Sequence, residues 1–206
     1  MKKTVVFDLG GVLIDWNPRY LYRDLFEQEK EMEDFLANIC TNEWNELQDA
    51  GRSLEEATEV LCTHFPEYDS LIRQYYGQWQ RMLKGPIPGT VNILSTLKEN
   101  QYRLLALTNW SNETFPVALE LYDFLHWFEG ILVSGKEKMK KPDPAIFNLL
   151  IRRYGLNPAE TIYIDDSAKN VQAAIRAGFD TVHFRDPEDL LAGLADRGVM
   201  VGLGAH

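Results

Sequence analysis

The chain has 206 residues, 45% of them hydrophobic, enough to bury one sizeable core with or without a smaller insertion, which argues against disorder. Its 31 acidic residues outnumber 21 basic ones, and the net charge of −10 disfavours nucleic acid or an anionic membrane surface as the main partner. Cys40 and Cys62 show neither CxxC nor metal-ligand spacing, and no apolar run nears the ~18 residues of a membrane span, so a cytoplasmic protein is expected.

The first element is the strand Val5-Val6-Phe7, which runs into Asp8 and then Gly10 and Gly11. In open α/β sheets, ligands bind beyond the carboxyl ends of the strands, so Asp8 stands where chemistry is normally done. The two glycines let the backbone turn sharply and approach a ligand closely. Residues 16–86 carry helix signals and no convincing strand: Arg19 to Lys30, Glu31 to Ile39, Ser53 to His64 and Tyr68 to Leu83. Ser53 and Glu56 form a capping box ahead of Leu54, Ala57, Val60 and Leu61 at helical spacing. Gly85-Pro86-Ile87-Pro88-Gly89 reads as a return linker.

Beyond the linker, helix and strand signals alternate. Helices are predicted over Gly89–Asn100, Thr114–Tyr122, a segment opened by Asp143-Pro144 and closed near Gly155, and residues 168–177. Between them lie the strands Arg103–Leu107, Gly130–Ser134, Thr161–Ile164 and Thr181–Phe184. With the opening strand these make a parallel sheet of about five strands, covered by helices on both faces: an α/β, Rossmann-like three-layer core. The expected division is a core of residues 1–15 and 87–206 and an all-helical cap of residues 16–86.

Polar groups gather at the strand ends. Thr108 and Asn109 follow Leu107 and suit an oxyanion, although Asn109 could equally cap the next helix. Lys141 precedes Pro142-Asp143-Pro144 at a helix start, where a fixed cation is well placed, and is preferred over its neighbour Lys140. Asp165 and Asp166 follow Ile164, so Asp8, Asp165 and Asp166 crowd three carboxylates together. Like charges that close need a cation to stay ionised, and Mg²⁺ suits hard oxygen donors and a phosphate alike.

Through Asp8-Leu9-Gly10-Gly11-Val12, Thr108-Asn109, Lys141-Pro142-Asp143-Pro144 and Asp165-Asp166, in that order, the chain resembles the haloacid dehalogenase-like hydrolase superfamily over essentially its whole length. The resemblance implies a C1-type cap and a Mg²⁺-dependent hydrolase, most simply a phosphatase of a small metabolite such as a sugar phosphate. It implies Asp8 as the nucleophile that forms an aspartyl intermediate, Thr108 on the transferring group and Lys141 as the neutralising cation. Asp8, the Gly10 carbonyl and Asp166 would hold the metal, with Asp165 a direct or indirect partner.

Gly10 departs from the pattern, because phosphatases of this superfamily usually carry there a second Asp as general acid and base. Asp15 and Trp16, where the cap begins, are expected to face the substrate, with Asp15 a possible substitute for that acid. Two alternatives stay open: a 2-haloacid dehalogenase, whose halide leaves without a proton, and a catalytically silent binding protein. His64, His126 and His183 are read as structural, and Trp44 and Trp79 as packing residues. Oligomeric state is open.

Overall fold

The computed structural model describes residues 3–199; residues 1–2 and 200–206, at the outer ends of the expected core, lie outside the described residues. Strand β1 (Thr4–Phe7) is followed by a short β2 (Ile14–Trp16). Helices α1 (Arg19–Tyr22), α2 (Glu29–Asn38), α3 (Asn42–Asp49), α4 (Leu54–His64) and α5 (Asp69–Gly77) come next, then β3 (Leu83–Pro86). The alternating part comprises α6 (Pro88–Glu99), β4 (Arg103–Thr108), α7 (Phe115–Leu121), β5 (Gly130–Val133), α8 (Ser134–Glu137) and α9 (Pro144–Tyr154). It ends with β6 (Thr161–Asp165), α10 (Ala168–Arg176), β7 (Asp180–His183) and α11 (Pro187–Asp196).

Five strands form one parallel sheet in the order β5-β4-β1-β6-β7. Their apolar runs are continuous because both faces are covered. Val5, Phe7, Leu104, Ala106, Ile162 and Ile164 enter one core cluster, whereas Val6, Leu105, Leu107 and Tyr163 enter the other, against Ile146, Phe147 and Leu150 of α9. Burying each Val, Leu, Ile or Phe among them contributes roughly 1.5–3 kcal/mol. Strand β1 lies at the centre with β4 on one side and β6 on the other, so the chain changes direction across it and a crevice opens at its carboxyl end.

The fold class is the one read from the sequence, with corrections in detail. Residues 16–86 are not free of strand: β2 and β3 pair antiparallel, with Asp15 opposite Gly85, and the supposed linker at Gly85-Pro86 is part of β3. Only three or four residues long, these strands carry no alternating pattern to betray them. The helix expected over Arg19–Lys30 is a single turn, α1, and the one expected over Tyr68–Leu83 ends at Gly77. Helix α3 went unread although Thr41 caps it, its Oγ1 accepting the Trp44 N–H at 3.1 Å. Helices α8 and α11 were also missed. The predicted caps at Ser53 and Asp143 both form, and Gly155 ends α9 in the left-handed conformation at φ +61°.

Candidate active site

Asp8 sits one residue beyond β1, its N–H bonded to the Ile164 carbonyl at 2.8 Å and its Oδ1 accepting the Leu9 N–H at 2.7 Å. The chain then folds back tightly. The N–H groups of Leu13 and Ile14 both donate to the Leu9 carbonyl, and Gly11 adopts φ +75°, which an L side chain resists. A Cβ at Gly11 would overlap Asp166 Oδ2, whereas one at Gly10 would meet nothing within 4 Å.

Lys141 is wholly buried, and its Nζ lies 2.8 Å from Asp8 Oδ2 and 2.7 Å from Asp165 Oδ2. It also donates to the Leu107 carbonyl at 3.0 Å. Asp165 is the most heavily bonded of the acids. It accepts from Lys141, from the Tyr163 hydroxyl at 2.5 Å, from the Ser167 N–H at 2.9 Å and from Asn170 Nδ2 at 3.0 Å. Lys140, the competing lysine, points elsewhere and pairs with Glu46 of α3.

Asn109 clamps the Lys141 backbone from both sides: its Oδ1 accepts the Lys141 N–H at 2.8 Å and its Nδ2 donates to the Lys141 carbonyl at 3.0 Å. Thr108 is buried at the end of β4, beside this group. Asp15 stands apart: both its oxygens accept from the Tyr20 hydroxyl at 3.0 Å, and it does not line the cavity above Gly10. His183, read as structural, has Nε2 2.9 Å from the Asp166 carbonyl oxygen.

One lysine does not balance three carboxylates. Asp8 is raised to about 8, chiefly by burial, with Lys141 opposing the rise and the Asp165 and Asp166 charges adding to it. Burial and the Asp165 charge raise Asp166 as well. Burial also acts against ionised Asp165, but the adjacent ammonium and the hydrogen bonds outweigh it and hold this carboxyl below its ordinary value. Lys141 is raised, because its two carboxylate partners more than offset the penalty of burial. The geometry fits a hard divalent cation. One oxygen each from Asp8, Asp165 and Asp166 lies within 4.8 Å of the others, all are anionic oxygen donors, and the Gly11 cradle keeps the approach to Asp166 clear.

The sequence profile of the haloacid dehalogenase-like hydrolases matches residues 2–178. The chain belongs to this family. Among similar proteins, a sesquiterpene phosphatase of Aspergillus oryzae is 26% identical over 184 residues, covering 89% of this chain and 90% of the relative. A phosphoglycolate phosphatase of Aliivibrio fischeri is 29% identical over 193 residues, covering 85% and 81% of the two chains. A haloacid dehalogenase family enzyme of Bacteroides thetaiotaomicron, crystallised with magnesium and inorganic phosphate, superposes with a TM-score of 0.69 at 23% identity, covering 90% and 96%.

In this haloacid dehalogenase-like hydrolase a cavity of about 260 Å³ opens beside Asp166, lined by residues from the strand ends and from α3 and α5; Asp8, Thr108, Lys141 and Asp165 are not part of its lining. Gly10, Gly11, Asn109 and Asp166 line it, as does Trp16. Trp79, read as packing, is buried but also faces this space. Asn45, Asp49 and Tyr76 of the cap, with Trp110, Ser111 and Thr114 beyond β4, were not anticipated. For Asp49 the only local signal was a helix ending just before Gly51, which any solvated helix end would also give. Among the described residues, no helix is long and apolar enough to cross a membrane.

Proposed function

We propose that the protein is a Mg²⁺-dependent phosphomonoesterase of a small phosphorylated metabolite, a sugar phosphate or similar, that works through an aspartyl-phosphate on Asp8. The observation that carries this reading is the contact of Asp8 Oδ2 with a buried Lys141 Nζ at 2.8 Å, inside a cluster of three carboxylates. A lysine so held aims the nucleophile and opposes the burial that raises its carboxyl. Asp8, Asp166 and the Gly10 carbonyl would hold Mg²⁺, with Asp165 fixing Lys141 and supporting them. The metal, when bound, would neutralise phosphate charge and let the carboxylates ionise together.

Each residue then has a task. Asp8 attacks phosphorus, Lys141 neutralises the transferring group and Thr108 hydrogen-bonds it. Asn109 positions Lys141 by clamping its backbone. Residues 16–86 act as the cap that closes over the substrate, whose uncharged body would rest on Trp16, Trp79, Trp110 and Tyr76. The described cavity lining includes no Lys or Arg, which favours a single phosphoryl group as the substrate's only anion. Phosphatases among the relatives support the reaction class.

Phosphate release from a panel of sugar, acyl, isoprenyl and nucleoside phosphates with Mg²⁺ tests the reading. Turnover that EDTA stops and that Asp8→Asn abolishes is expected. Activity equal in the Asp8→Asn protein would refute it, and metal-independent halide release from 2-haloacids would establish the dehalogenase instead.

A further inference from the structure

We propose that Asp49, presented by the cap at the end of α3, is the general acid and base that the core lacks at Gly10. This role rests on the phosphatase reading above. Asp49 and Gly10 line the same cavity, and the space beside Gly10 is open, since a Cβ there meets nothing within 4 Å. A proton donor for the leaving oxygen can therefore come from another residue of the same cavity.

Asp49 is held in place from the core. The Ser134 hydroxyl, just beyond the end of β5, donates to its backbone carbonyl at 2.5 Å. Gly51 allows this approach: a Cβ there would lie 3.0 Å from the Gly135 carbonyl. The groups around Asp49 are Glu46 of its own helix, Tyr75 and Tyr76 of α5, and Lys140 and Lys141 of the loop before α9. Lys140 is paired with Glu46, and Lys141 with Asp8 and Asp165, so neither binds the Asp49 carboxylate. Asp49 is raised to about 7, chiefly by burial and also by Glu46, with Lys140, the Ser111 backbone and Lys141 opposing the rise. A carboxyl poised there can give and take a proton near neutral pH.

The chemistry balances in two steps. Asp8 Oδ attacks phosphorus, the bond from phosphorus to the substrate oxygen breaks, and that oxygen takes the bonding pair together with the proton of the Asp49 carboxylic acid. The alcohol leaves. Water then attacks phosphorus while the Asp49 carboxylate takes its proton. The acyl phosphate bond breaks, its pair returns to Asp8, and phosphate departs with Asp49 reprotonated.

The test compares Asp49→Asn with the wild-type enzyme on 4-nitrophenyl phosphate, whose leaving group departs unprotonated, and on whichever alkyl phosphate, such as glucose 6-phosphate, the wild type hydrolyses. Alkyl phosphate turnover should fall by about 10²–10⁴-fold. The nitrophenolate burst should keep a rate within about tenfold of wild type, with a slowed steady state as the aspartyl-phosphate accumulates. The alkaline fall of kcat/KM near pH 7 should vanish in the variant, and Asp49→Glu should recover part of the alkyl phosphate rate. The ratio of the two substrates' rates cancels any loss of folded protein. An equal loss in the alkyl phosphate rate and in the nitrophenolate burst rate, or full alkyl phosphate activity in Asp49→Asn, overturns the assignment. Wild-type enzyme with no Asp8-dependent turnover instead overturns the phosphatase reading itself.

Discussion

Replacing Lys141 by Met keeps an unbranched stem but deletes the charge at the centre of the site. Two carboxylates, 2.8 Å and 2.7 Å from Nζ, then share a buried space with no fixed cation, and the Leu107 carbonyl loses the donor it has at 3.0 Å. Removing one partner of a buried ion pair costs about 3–5 kcal/mol. In a chain of this size each kcal/mol lowers the midpoint by about 2–4 °C, so the expected fall at pH 8 is about 6–20 °C.

The pH dependence has a definite sign. Asp8 is raised from 3.8 to about 8, so the folded protein binds its proton more tightly and this group's stabilising effect is lost as pH rises through that window. Asp165 is lowered, so it stabilises the fold above its ordinary value and that contribution is lost as pH falls through the lowered one. Without Lys141, the influence that most strongly lowers Asp165 is gone and burial dominates at both carboxyls. The variant's deficit should therefore shrink between pH 8 and pH 5. Circular dichroism melts without metal, at both pH values, measure it, and Mg²⁺ should restore more stability to the variant than it adds to the wild type. A fall below about 2 °C at pH 8, or a larger deficit at pH 5, would refute the electrostatic account.

Gly11→Ala should raise the Mg²⁺ concentration for half-maximal activity by about 10–100-fold, because its Cβ would displace Asp166. Gly10→Ala, with open space around it, is the control and should match the wild type in Mg²⁺ titration calorimetry. Ser134→Ala should cost about 1–3 kcal/mol in urea unfolding and speed proteolysis within the cap. Its hydroxyl serves the Asp49 carbonyl at 2.5 Å and the Trp110 N–H at 2.9 Å, and both groups would lose that partner. Unchanged cleavage would show that this contact does not hold the cap down. Asp8→Asn and Asp49→Asn complete the set, the first removing all phosphate release and the second separating alkyl from aryl substrates.

The core was readable because its signals are local. A parallel strand buried on both faces must be apolar throughout, as in Val5-Val6-Phe7 and Thr161–Ile164, and its helices announce themselves by caps such as Ser53 and Asp143. The acids at the strand ends follow directly, since where a strand stops is where its next side chain meets the ligand crevice. Residue order therefore placed Asp8, Lys141, Asp165 and Asp166 at one edge before any coordinates did.

What the sequence by itself determined was the layered fold and the gathering of the carboxylates at one edge of the sheet. Tertiary structure decided which lysine is buried, that Asn109 spends its amide on the Lys141 backbone, and that Asp15 turns to Tyr20 rather than the cavity. It also brought Asp49 into the cavity that Gly10 lines, from 39 positions along the chain. The physical reason is the range of the interactions. Strand, helix and cap depend on neighbours a few positions away, whereas the docking of the cap depends on contacts such as Ser134 to Asp49, which exist only once the chain has closed on itself.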